Sequence, residues 1–358
     1  MNMAEMKKVV VGMSGGVDSS LTAALLQEQG YFVIGVYMKN WSEPIKGVEH
    51  CPWVQDQLDA RRVADQLGIP FYTVNFEEIY KKQVIDAFFA DYEAGRTPNP
   101  DVLCNRFVKF DAFFKYAKSL GADFIATGHY AQVKNGEIFQ GVDGKKDQSY
   151  FLWAIEKDVL SQVLFPLGAM EKSEVRSEAE KRGLATAKKK DSQGICFIGQ
   201  ADVREFIKQH LKPREGNVIN AAGEVIGTHE GAWLYTLGQR AGISDIKWGD
   251  ESQRPILYVT ATDTRANTIT VGEEPALYTS RLRAGSANWL GAIPASGTIL
   301  TAKIRYGQPN TPCAMLKADL NGFYLTFEAP QRAITPGQSV VLYEGNRMVG
   351  GGIIEKSE

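Results

Sequence analysis

The sequence predicts an α/β protein: a parallel-sheet domain, then a small central domain, then a C-terminal antiparallel β-barrel domain. Three observations support this prediction. Short β-rich runs alternate with helical stretches in the first part, glycines punctuate the middle, and roughly the last 80 residues read as short strands joined by turns. The expected domain boundaries are 1–205, 206–275 and 276–358.

The first part alternates four β-rich runs with four helical ones. The β-rich runs are KKVVVGM, YFVIGVYM, FYTVN and DFIATG, and helical stretches lie between them. This alternation is typical of an open parallel sheet covered by helices on both faces, in which ligands bind beyond the carboxyl ends of the strands. Ser14, Met38 and Gly128 all lie at such ends. We therefore expect these three segments to surround one crevice.

The segments that follow complete the expected order of elements. RTPNPDVLC, from Arg96 to Cys104, holds two prolines and reads as a loop at the same sheet edge. The stretch 149–183 reads as helical, with EKSEVRSEAEKRG as a solvated face, and TAKKKDSQGICFIGQ reads as loop and short strand. One more helix, ADVREFIKQHL, precedes the glycine-punctuated region.

Composition excludes several classes of protein. With 358 residues and 44% hydrophobic residues the chain is long enough for more than one core, and its longest apolar runs are too short to cross a bilayer. We expect a cytoplasmic protein without membrane contact. The net charge of −2 leaves room for a local basic surface at 188–190. The four cysteines are Cys51, Cys104, Cys196 and Cys313. Their wide spacing favours free thiols over disulfides or a structural zinc site, and we predict no metal ligands.

A glycine turn follows the first strand, in VVVGMSGGVDSS. Gly15 and Gly16 permit close backbone approach to an anion, the next helix points its positive end there, and Ser14 and Ser19 add hydroxyl donors. Asp18 would repel a bare phosphate, which favours Mg²⁺ between the carboxylate and phosphates. The lysine of an ordinary P-loop is missing from this turn. The alternative for SGG alone is a tight strand-to-helix turn with a cap.

The string S-G-G-V-D-S resembles the signature of the PP-loop ATP pyrophosphatases, which have an adenine nucleotide alpha-hydrolase-like fold. The resemblance implies that pyrophosphate leaves and AMP is transferred, so no lysine is needed for phosphorylation. The group adenylated stays open at this point: a carboxylate, a urea-like carbonyl or a nucleobase carbonyl.

Two of the cysteines point to sulfur chemistry. A free cysteine is usually only a small apolar side chain. Cys104, however, lies between Asp101 and the polar pair Asn105 and Arg106, so its setting does not read as apolar. Cys196 follows a lysine triplet and a glycine, a setting that favours thiolate.

The whole chain resembles the bacterial tRNA-specific 2-thiouridylases. The resemblance rests on GMSGGVDSS, GRTPNPDVLCNRFVKF, ATGHYA, KDQSYFL, TAKKKDSQGICFIG, TLGQR and TPGQSVVLYEGNRMVGGGIIE, which extend to residue 355. The fragment TGH alone is weak, whereas DVLCN combined with DSQGICFIG is highly specific.

The resemblance implies ATP-dependent 2-thiolation of the wobble uridine in Lys, Glu and Gln tRNAs. ATP adenylates the C2 oxygen of the uracil, and sulfur then displaces AMP. Cys196 would carry a persulfide, and Cys104 would be the partner nucleophile. Cys104 would free the sulfur either by forming a transient disulfide with Cys196 or by releasing it as hydrosulfide. Asp101 would be a general acid or base, with Asn99 and Pro100 shaping the pocket of the flipped base.

The resemblance also implies the binding residues and partners. Met38 and Gly128 would bind the adenosine. The ATP phosphates would be bound by Gly12, Met13, Ser14, Gly15, Gly16, Val17, Asp18 and Ser19. Further tRNA contacts would come from His129, Lys146, Asp147, Gln148, Arg305, Tyr306 and Gln338. We expect ATP with Mg²⁺ as co-substrate, no tightly bound prosthetic group, a persulfide relay or cysteine desulfurase as sulfur donor, and a monomer.

Some of these roles have structural alternatives. His129 also suits a hydrogen-bonded structural histidine after a strand, and a charged turn such as 146–148 is usually only solvated. Neighbours in a strand face opposite sides, so only one of Arg305 and Tyr306 can face RNA without a bulge. Gly307 stands where a second basic residue is expected, which weakens this predicted contact.

Other functions are also compatible with the loop. A PP-loop ligase of the amide or argininosuccinate type would not need the two cysteines, and an inert nucleotide-binding module would need neither them nor an intact loop. A tRNA thiolase acting on another nucleoside is harder to separate by motifs. His50 and Cys51 are too few for a metal site, and Cys51 and Cys313 read as non-catalytic thiols.

Overall fold

The computed structural model describes residues 6–43, 52–191, 203–241, 246–248 and 256–358. These residues form two compact units. The first comprises the described residues of 1–85, 100–201 and 344–349, and the second comprises those of 86–99, 202–343 and 350–358. Residues 86–99 thus belong to the second unit, and the predicted domain boundaries stay predictions.

A five-stranded parallel sheet forms the centre of the first unit, in the order β3-β2-β1-β4-β7. The strands are β1 Lys8–Gly12, β2 Phe32–Lys39, β3 Phe71–Asn75, β4 Phe124–Ala126 and β7 Val163–Leu164. Strand β1 has the sequence KVVVG, a continuous apolar run typical of a strand that is buried on both faces. Val9, Val10 and Val11 are fully buried. The predicted parallel α/β fold is confirmed.

Helices of three kinds surround this sheet. The α-helices of the first unit are α1 Val17–Glu28, α2 Pro52–Leu67, α3 Glu77–Tyr80, α5 Pro100–Leu103, α6 Phe113–Ser119 and α7 Lys172–Lys181. Lys81–Ile85 and Cys104–Ala112 are π-helical, and Ser149–Phe151, Lys157–Gln162 and Pro166–Ala169 are short 3₁₀ turns. Within the described ranges, no helix has the length and hydropathy needed to cross a bilayer.

Two parts of the first unit differ from the prediction. Residues 149–183 are not one helical stretch: three 3₁₀ turns and strand β7 precede α7. Strand β7 has two residues and is defined only by its pairing with β4, which no local sequence pattern reveals. A hairpin of β5 Ala131–Lys134 and β6 Glu137–Gln140 was also not predicted. Its turn is Asn135–Gly136, with φ of 54° and 73°, a recognised hairpin signal.

The second unit contains a small sheet in the order β10-β9-β8-β12-β11 and two helices. The strands are β8 Gly216–Ile219, β9 Val225–His229, β10 Lys247–Trp248, β11 Tyr258–Asp263 and β12 Thr268–Gly272, and the helices are α4 Asp86–Glu93 and α8 Val203–His210. Val218, Ile269 and Val271 are buried in the core beneath this sheet.

Six further strands, most of whose residues belong to the second unit, close into an antiparallel barrel. They run in the order β13-β16-β15-β14-β17-β18, and β18 returns to pair with β13, for example Leu282 with Ser357. The strands are β13 Tyr278–Trp289, β14 Ile299–Lys303, β15 Thr311–Ala318, β16 Gly322–Arg332, β17 Ser339–Glu344 and β18 Arg347–Ser357. Closure leaves no free sheet edge, and the predicted β-barrel is confirmed.

Candidate active site in the first unit

The glycine turn between β1 and α1 has the backbone shape that the sequence predicts. Gly15 has φ of 76°, and a Cβ atom there would overlap the carbonyl oxygen of Asp56 in α2. Only glycine satisfies both conditions. The turn therefore brings its N–H groups and the N-terminus of α1 to the carboxyl end of the central strand, as anion binding requires.

Hydroxyl groups fix the conformation of this turn. Ser19 Oγ accepts a hydrogen bond from the Ser14 N–H at 3.1 Å, lies 3.2 Å from Ser14 Oγ and 3.2 Å from the Gly16 carbonyl oxygen. Because Ser19 is buried, its hydroxyl holds the loop closed. Ser14 is exposed, so its hydroxyl is the one available to a ligand.

The carboxylate of Asp18 is paired with a lysine from a distant helix. Lys172 Nζ, at the start of α7, donates to both oxygens of Asp18 at 2.7 and 2.8 Å, and Tyr130 Oη donates to one of them at 2.7 Å. Burial, followed by the charge of Asp18, raises the pKa of Tyr130, so the phenol stays protonated as donor. The solvated face predicted for this helix is therefore wrong at Lys172, whose side chain is only 12% exposed.

Asp191 extends this network. It accepts hydrogen bonds from Lys172 and Lys146 at 3.0 Å and from Arg176 at 2.6 Å. Burial alone would raise the pKa of Asp191, but the hydrogen bonds from Lys172 and Lys146 outweigh it and lower this pKa. Asp191 is thus ionised at neutral pH and shares the Lys172 ammonium with Asp18.

One carboxylate beside the loop, that of Asp18, could serve as a ligand for nucleotide-bound Mg²⁺. Within the described part of the chain, no three His, Cys, Asp or Glu side chains form a metal cluster. Mg²⁺ bound to a nucleotide needs only one or two protein carboxylates beside the phosphate oxygens. Asp18 supplies one, although both of its oxygens already accept hydrogen bonds from Lys172.

The two predicted adenosine-binding residues lie against the loop. A Cβ atom at Gly128 would lie 2.9 Å from the backbone of Asp18 and of Ser19, so Gly128 lets the end of β4 touch the loop. Met38, at the end of β2, reaches Gly12: a Cβ atom there would lie 2.9 Å from Met38 Cε. The structure therefore brings the ends of β1, β2 and β4 together, as predicted.

Cys104 occupies a different environment from the one predicted. It begins the π-helical segment Cys104–Ala112, and its side chain is only 1% exposed. Burial raises the pKa of the Cys104 thiol to about 11; the positive charge of Lys109 lowers this pKa, and the charge of Asp101 raises it. The predicted non-apolar setting is therefore corrected: Cys104 is a covered, protonated thiol, although π-helical turns are frequent at functional sites.

The Cys104 helix nevertheless packs at the same sheet edge as the loop. Phe113, which directly follows the π-helical segment, lies 3.6 Å from the Cβ position of Gly12. The ring of Phe110 lies 5.8 Å from the ring of His129, which follows β4. The helix that carries Cys104 thus covers the carboxyl ends of β1 and β4.

The residues before Cys104 place Asp101 within one helical turn of it. Pro100 is the first residue of α5, where a proline needs no N–H partner, and Asn99 directly precedes it. Asp101 is partly exposed, whereas the thiol that it accompanies is covered. The predicted proline-rich loop therefore ends before Pro100, and residues Pro100–Leu103 form the short helix α5.

His129 is buried, and neighbouring side chains hold its ring. Its Nδ1 lies 2.6 Å from Thr127 Oγ1, and its ring packs against Phe110 and Phe165. Burial, followed by the charge of Lys109, lowers the pKa of His129 well below its usual range. The structure supports the alternative of a neutral structural histidine, and the tRNA contact at His129 stays a prediction.

The segment 146–148 is likewise more than a solvated turn. Asp147 is 3% exposed and accepts hydrogen bonds from the N–H groups of Gly141 and Ser149 at 3.0 and 3.1 Å. Gln148 Oε1 accepts the N–H of Tyr130 at 3.1 Å. Together with the ion pair of Lys146, these bonds tie the segment to the protein. The tRNA contacts of 146–148 stay a prediction, although the carboxylate of Asp147 is buried.

Three predicted tRNA-binding residues belong to the second unit. Arg305 donates to the carbonyl oxygen of Ala333 at 3.3 Å, and Tyr306 is 41% exposed. Gln338 donates to the carbonyl oxygens of Thr97 and Pro98 at 3.0 and 3.2 Å, so its amide holds the proline loop. The glycine after Tyr306, which departed from the family pattern, has φ of 81° and forms a turn that a lysine or arginine would strain.

Of the second cysteine motif, DSQGICFIG, only Asp191 is described; Cys196 lies outside the described residues, as do His50 and Cys51. The lysine triplet that precedes the motif is described. Lys189 forms ion pairs with Asp56 at 2.7 Å and Asp59 at 2.6 Å, so only the exposed Lys188 and Lys190 contribute to the basic surface predicted here.

Comparison with known proteins decides the family. Family models match residues 7–200 (tRNA methyl transferase HUP domain), 204–273 (tRNA methyl transferase PRC-barrel domain) and 279–354 (Aminomethyltransferase beta-barrel domain). The tRNA-specific 2-thiouridylase MnmA of Pseudomonas fluorescens (strain SBW25) is 49% identical over 98% of this chain and 96% of its own. The chain belongs to the tRNA-specific 2-thiouridylase family.

A second relative within this family comes from another bacterium. The protein of the same name from Enterococcus faecalis (strain ATCC 700802 / V583) is 48% identical over 98% of this chain and 96% of its own. A solved 4-thiouridine synthetase–RNA complex with bound ATP gives a TM-score of 0.35 at 20% identity, over 56% of this chain and 46% of that one. That match is too weak to assign any residue. The predicted resemblance to the 2-thiouridylases is thus confirmed by the full-length relatives.

Proposed function

We propose that this protein is an ATP-dependent tRNA-uridine 2-sulfurtransferase that converts the wobble uridine of Lys, Glu and Gln tRNAs to 2-thiouridine. The observation that carries the proposal is that an adenylation loop and the helix bearing Cys104 meet at one edge of one sheet. Relatives that share nearly half of the sequence over the full length are named for this activity.

Adenylation is the first chemical step. The uracil C2 oxygen attacks the α-phosphorus of ATP, a new O–P bond forms, and the bond to the β-phosphate oxygen breaks, so that pyrophosphate leaves. The loop Gly12–Ser19 binds the phosphates, and Met38 and Gly128 bind the adenosine. Asp18, together with phosphate oxygens, would hold Mg²⁺, which would supply charge neutralisation. The adenylated oxygen becomes a good leaving group, which the carbonyl oxygen is not.

Sulfur transfer is the second step. A persulfide on Cys196 brings the sulfur, which forms a bond to C2 while the C2–O bond breaks and AMP departs. Cys104 then attacks the sulfur of Cys196 that is bonded to carbon and the S–S bond breaks, so the transferred sulfur stays on C2 as 2-thiouridine, a Cys104–Cys196 disulfide forms, and a cellular thiol reduces it. In the alternative order, the same attack comes first and releases hydrosulfide, which then attacks C2 as AMP departs. Asp101 acts as general acid or base beside the target base, whereas its charge, after burial, keeps the pKa of the Cys104 thiol raised to about 11.

Recognition of tRNA involves the proline-rich segment and the β-barrel. Asn99 and Pro100 shape the pocket for the flipped base, and Gln338 acts through the proline loop that it holds. Arg305 and Tyr306 lie beyond β14, which ends at Lys303, so the alternation of a strand does not separate them and both contact the RNA. We further propose that the protein works as a cytoplasmic monomer, with domains 1–205, 206–275 and 276–358, and receives sulfur from a persulfide relay or cysteine desulfurase.

Nucleoside mass spectrometry tests this function. The protein is incubated with tRNA, ATP, Mg²⁺ and sulfide or a persulfide donor, and the tRNA is then digested. We expect 2-thiouridine at the wobble position, lost in Cys104→Ser and kept in Cys313→Ser, a matched change at another buried thiol. No thionucleoside, or one at another position, would contradict the assignment. Activity retained without both Cys104 and Cys196 would instead favour a nitrogen-transferring ligase.

A further inference from the structure

Lys172 is held at the phosphate loop by carboxylates on two sides. Its ammonium donates to both oxygens of Asp18, at 2.7 and 2.8 Å, and lies 3.0 Å from Asp191. Asp18 is the second residue of α1, at the helix end that faces the glycine turn. The Lys172 ammonium therefore lies beside the phosphate loop, whose own sequence contains no lysine.

The position of Lys172 is fixed by the start of α7. The Lys172 N–H donates to the carboxylate of Asp143 at 3.1 Å, and Glu171 with Glu174 forms a capping box around the same helix end. The capped first turn of α7 fixes the backbone position from which the Lys172 side chain projects. Its ammonium can leave Asp191 or one oxygen of Asp18 without any movement of the backbone.

We propose that Lys172 contacts the β- and γ-phosphates of ATP and stabilises pyrophosphate as it leaves. The proposal rests on the proposed function. In the adenylation step, the electron pair of the broken Pα–O bond goes to the bridging oxygen, and the departing pyrophosphate gains a negative charge. Lys172 donates hydrogen bonds to this oxygen and its neighbours, while the new O–P bond forms to the uracil oxygen on the opposite side of the phosphorus. Lys172 gains or loses no proton.

A phosphate-binding ammonium also reconciles Asp18 with an anion site. A bare carboxylate would repel ATP, whereas the Asp18–Lys172 pair has no net charge. When phosphates and Mg²⁺ arrive, Asp18 becomes available to the cation and Lys172 to the phosphates. The Asp18 carboxylate thus binds the metal ion and the Lys172 ammonium binds the phosphates. An ion pair that served only to tie α7 to α1 would stay paired.

Product inhibition distinguishes these two roles. The variants are Lys172→Met, Lys172→Arg and Lys181→Met; Lys181 lies at the other end of the same helix and pairs only with Glu178 in the described structure. The assay measures inhibition of tRNA thiolation by added pyrophosphate and, separately, by AMP. We expect Lys172→Met to weaken pyrophosphate inhibition on the order of 10- to 100-fold, the range for one hydrogen bond to a charged group, with AMP inhibition unchanged.

The controls define the outcomes. Lys172→Arg should retain part of the pyrophosphate inhibition, and Lys181→Met should behave as wild type. Equal weakening of AMP and pyrophosphate inhibition in Lys172→Met, or no change in either, would overturn the proposal. If wild-type protein forms no 2-thiouridine, the proposed function fails instead, and pyrophosphate binding measured by calorimetry still tests Lys172.

A double variant separates direct contact from mere neutralisation of Asp18. Asp18→Asn removes the charge that Lys172→Met would leave unpaired. If Lys172 acts only by neutralising Asp18, calorimetry on Asp18→Asn/Lys172→Met should show wild-type affinity for pyrophosphate without Mg²⁺. We expect the affinity to stay reduced at least tenfold. Thermal melting of each variant checks that the fold is intact.

Discussion

The ionisation of Cys104 allows a quantitative test. Burial raises its pKa from 9.0 to about 11, so at pH 8 the thiolate fraction is about 100-fold lower than for an ordinary cysteine. The charge of Asp101 contributes to this rise, whereas the charge of Lys109 opposes it. Asp101→Asn should therefore speed alkylation of Cys104 and Lys109→Met should slow it. Each change should stay below about tenfold, because burial is the larger cause.

The assay is alkylation with iodoacetamide from pH 7 to pH 10, quantified for each cysteine by mass spectrometry after digestion. The rate at Cys104 should rise about tenfold per pH unit across this range, since every point lies below its pKa. Cys313 serves as an internal control, because burial raises its pKa to about 12 and neither variant lies in its unit. A rate at Cys104 that levels off near pH 9, or equal rates in both variants, would refute this explanation.

Three further predictions concern the loop and its surroundings. Gly128→Ala should reduce tRNA-dependent AMP formation at least about tenfold, because its Cβ would lie 2.9 Å from the Asp18 backbone; Gly144→Ala, with no atom within 4 Å, should not, and equal activities would contradict this. His129 should show no imidazole titration between pH 6 and 8 by NMR, since its pKa is lowered well below 6.5; a midpoint in that range would refute the burial argument. Asp191→Asn should lower the melting temperature by about 2–4 °C, as for the loss of ~1 kcal/mol in a domain of this size, and an unchanged value would show that its ion pairs add no stability.

The parts of the fold that the sequence predicts are those with local signals. The SGGVDS turn, the buried valines of β1 and the alternation of strands and helices each depend on neighbouring residues. The Asn135–Gly136 turn also carries a local signal, but its hairpin was not predicted, because the neighbouring strands have only four residues each. Strand β7 could not be predicted at all, since its two residues are defined by a partner far along the chain.

The candidate site shows the same division. The loop, Met38 and Gly128 come together because parallel strands end at one edge, a consequence of topology. The pairing of Lys172 with Asp18 joins residues 154 positions apart, and a lysine between Glu171 and Glu174 in a charged stretch reads as solvated until its partner is known. Burial of Cys104 was missed for a similar reason, because polar neighbours in sequence do not reveal what covers a side chain.

The buried state of Cys104 has a consequence for the order of the reaction. A nucleophile works best when its pKa lies near the working pH, and a pKa of about 11 is far above it. Two changes can lower this pKa: access of water, which removes the burial effect, or arrival of positive charge, as Lys109 already shows in part. In this structure the charge of Lys109 is present but burial outweighs it. In the proposed reaction, Cys104 therefore becomes a nucleophile only after a rearrangement, and one caused by bound tRNA would keep the thiol inactive until the target uridine is in place.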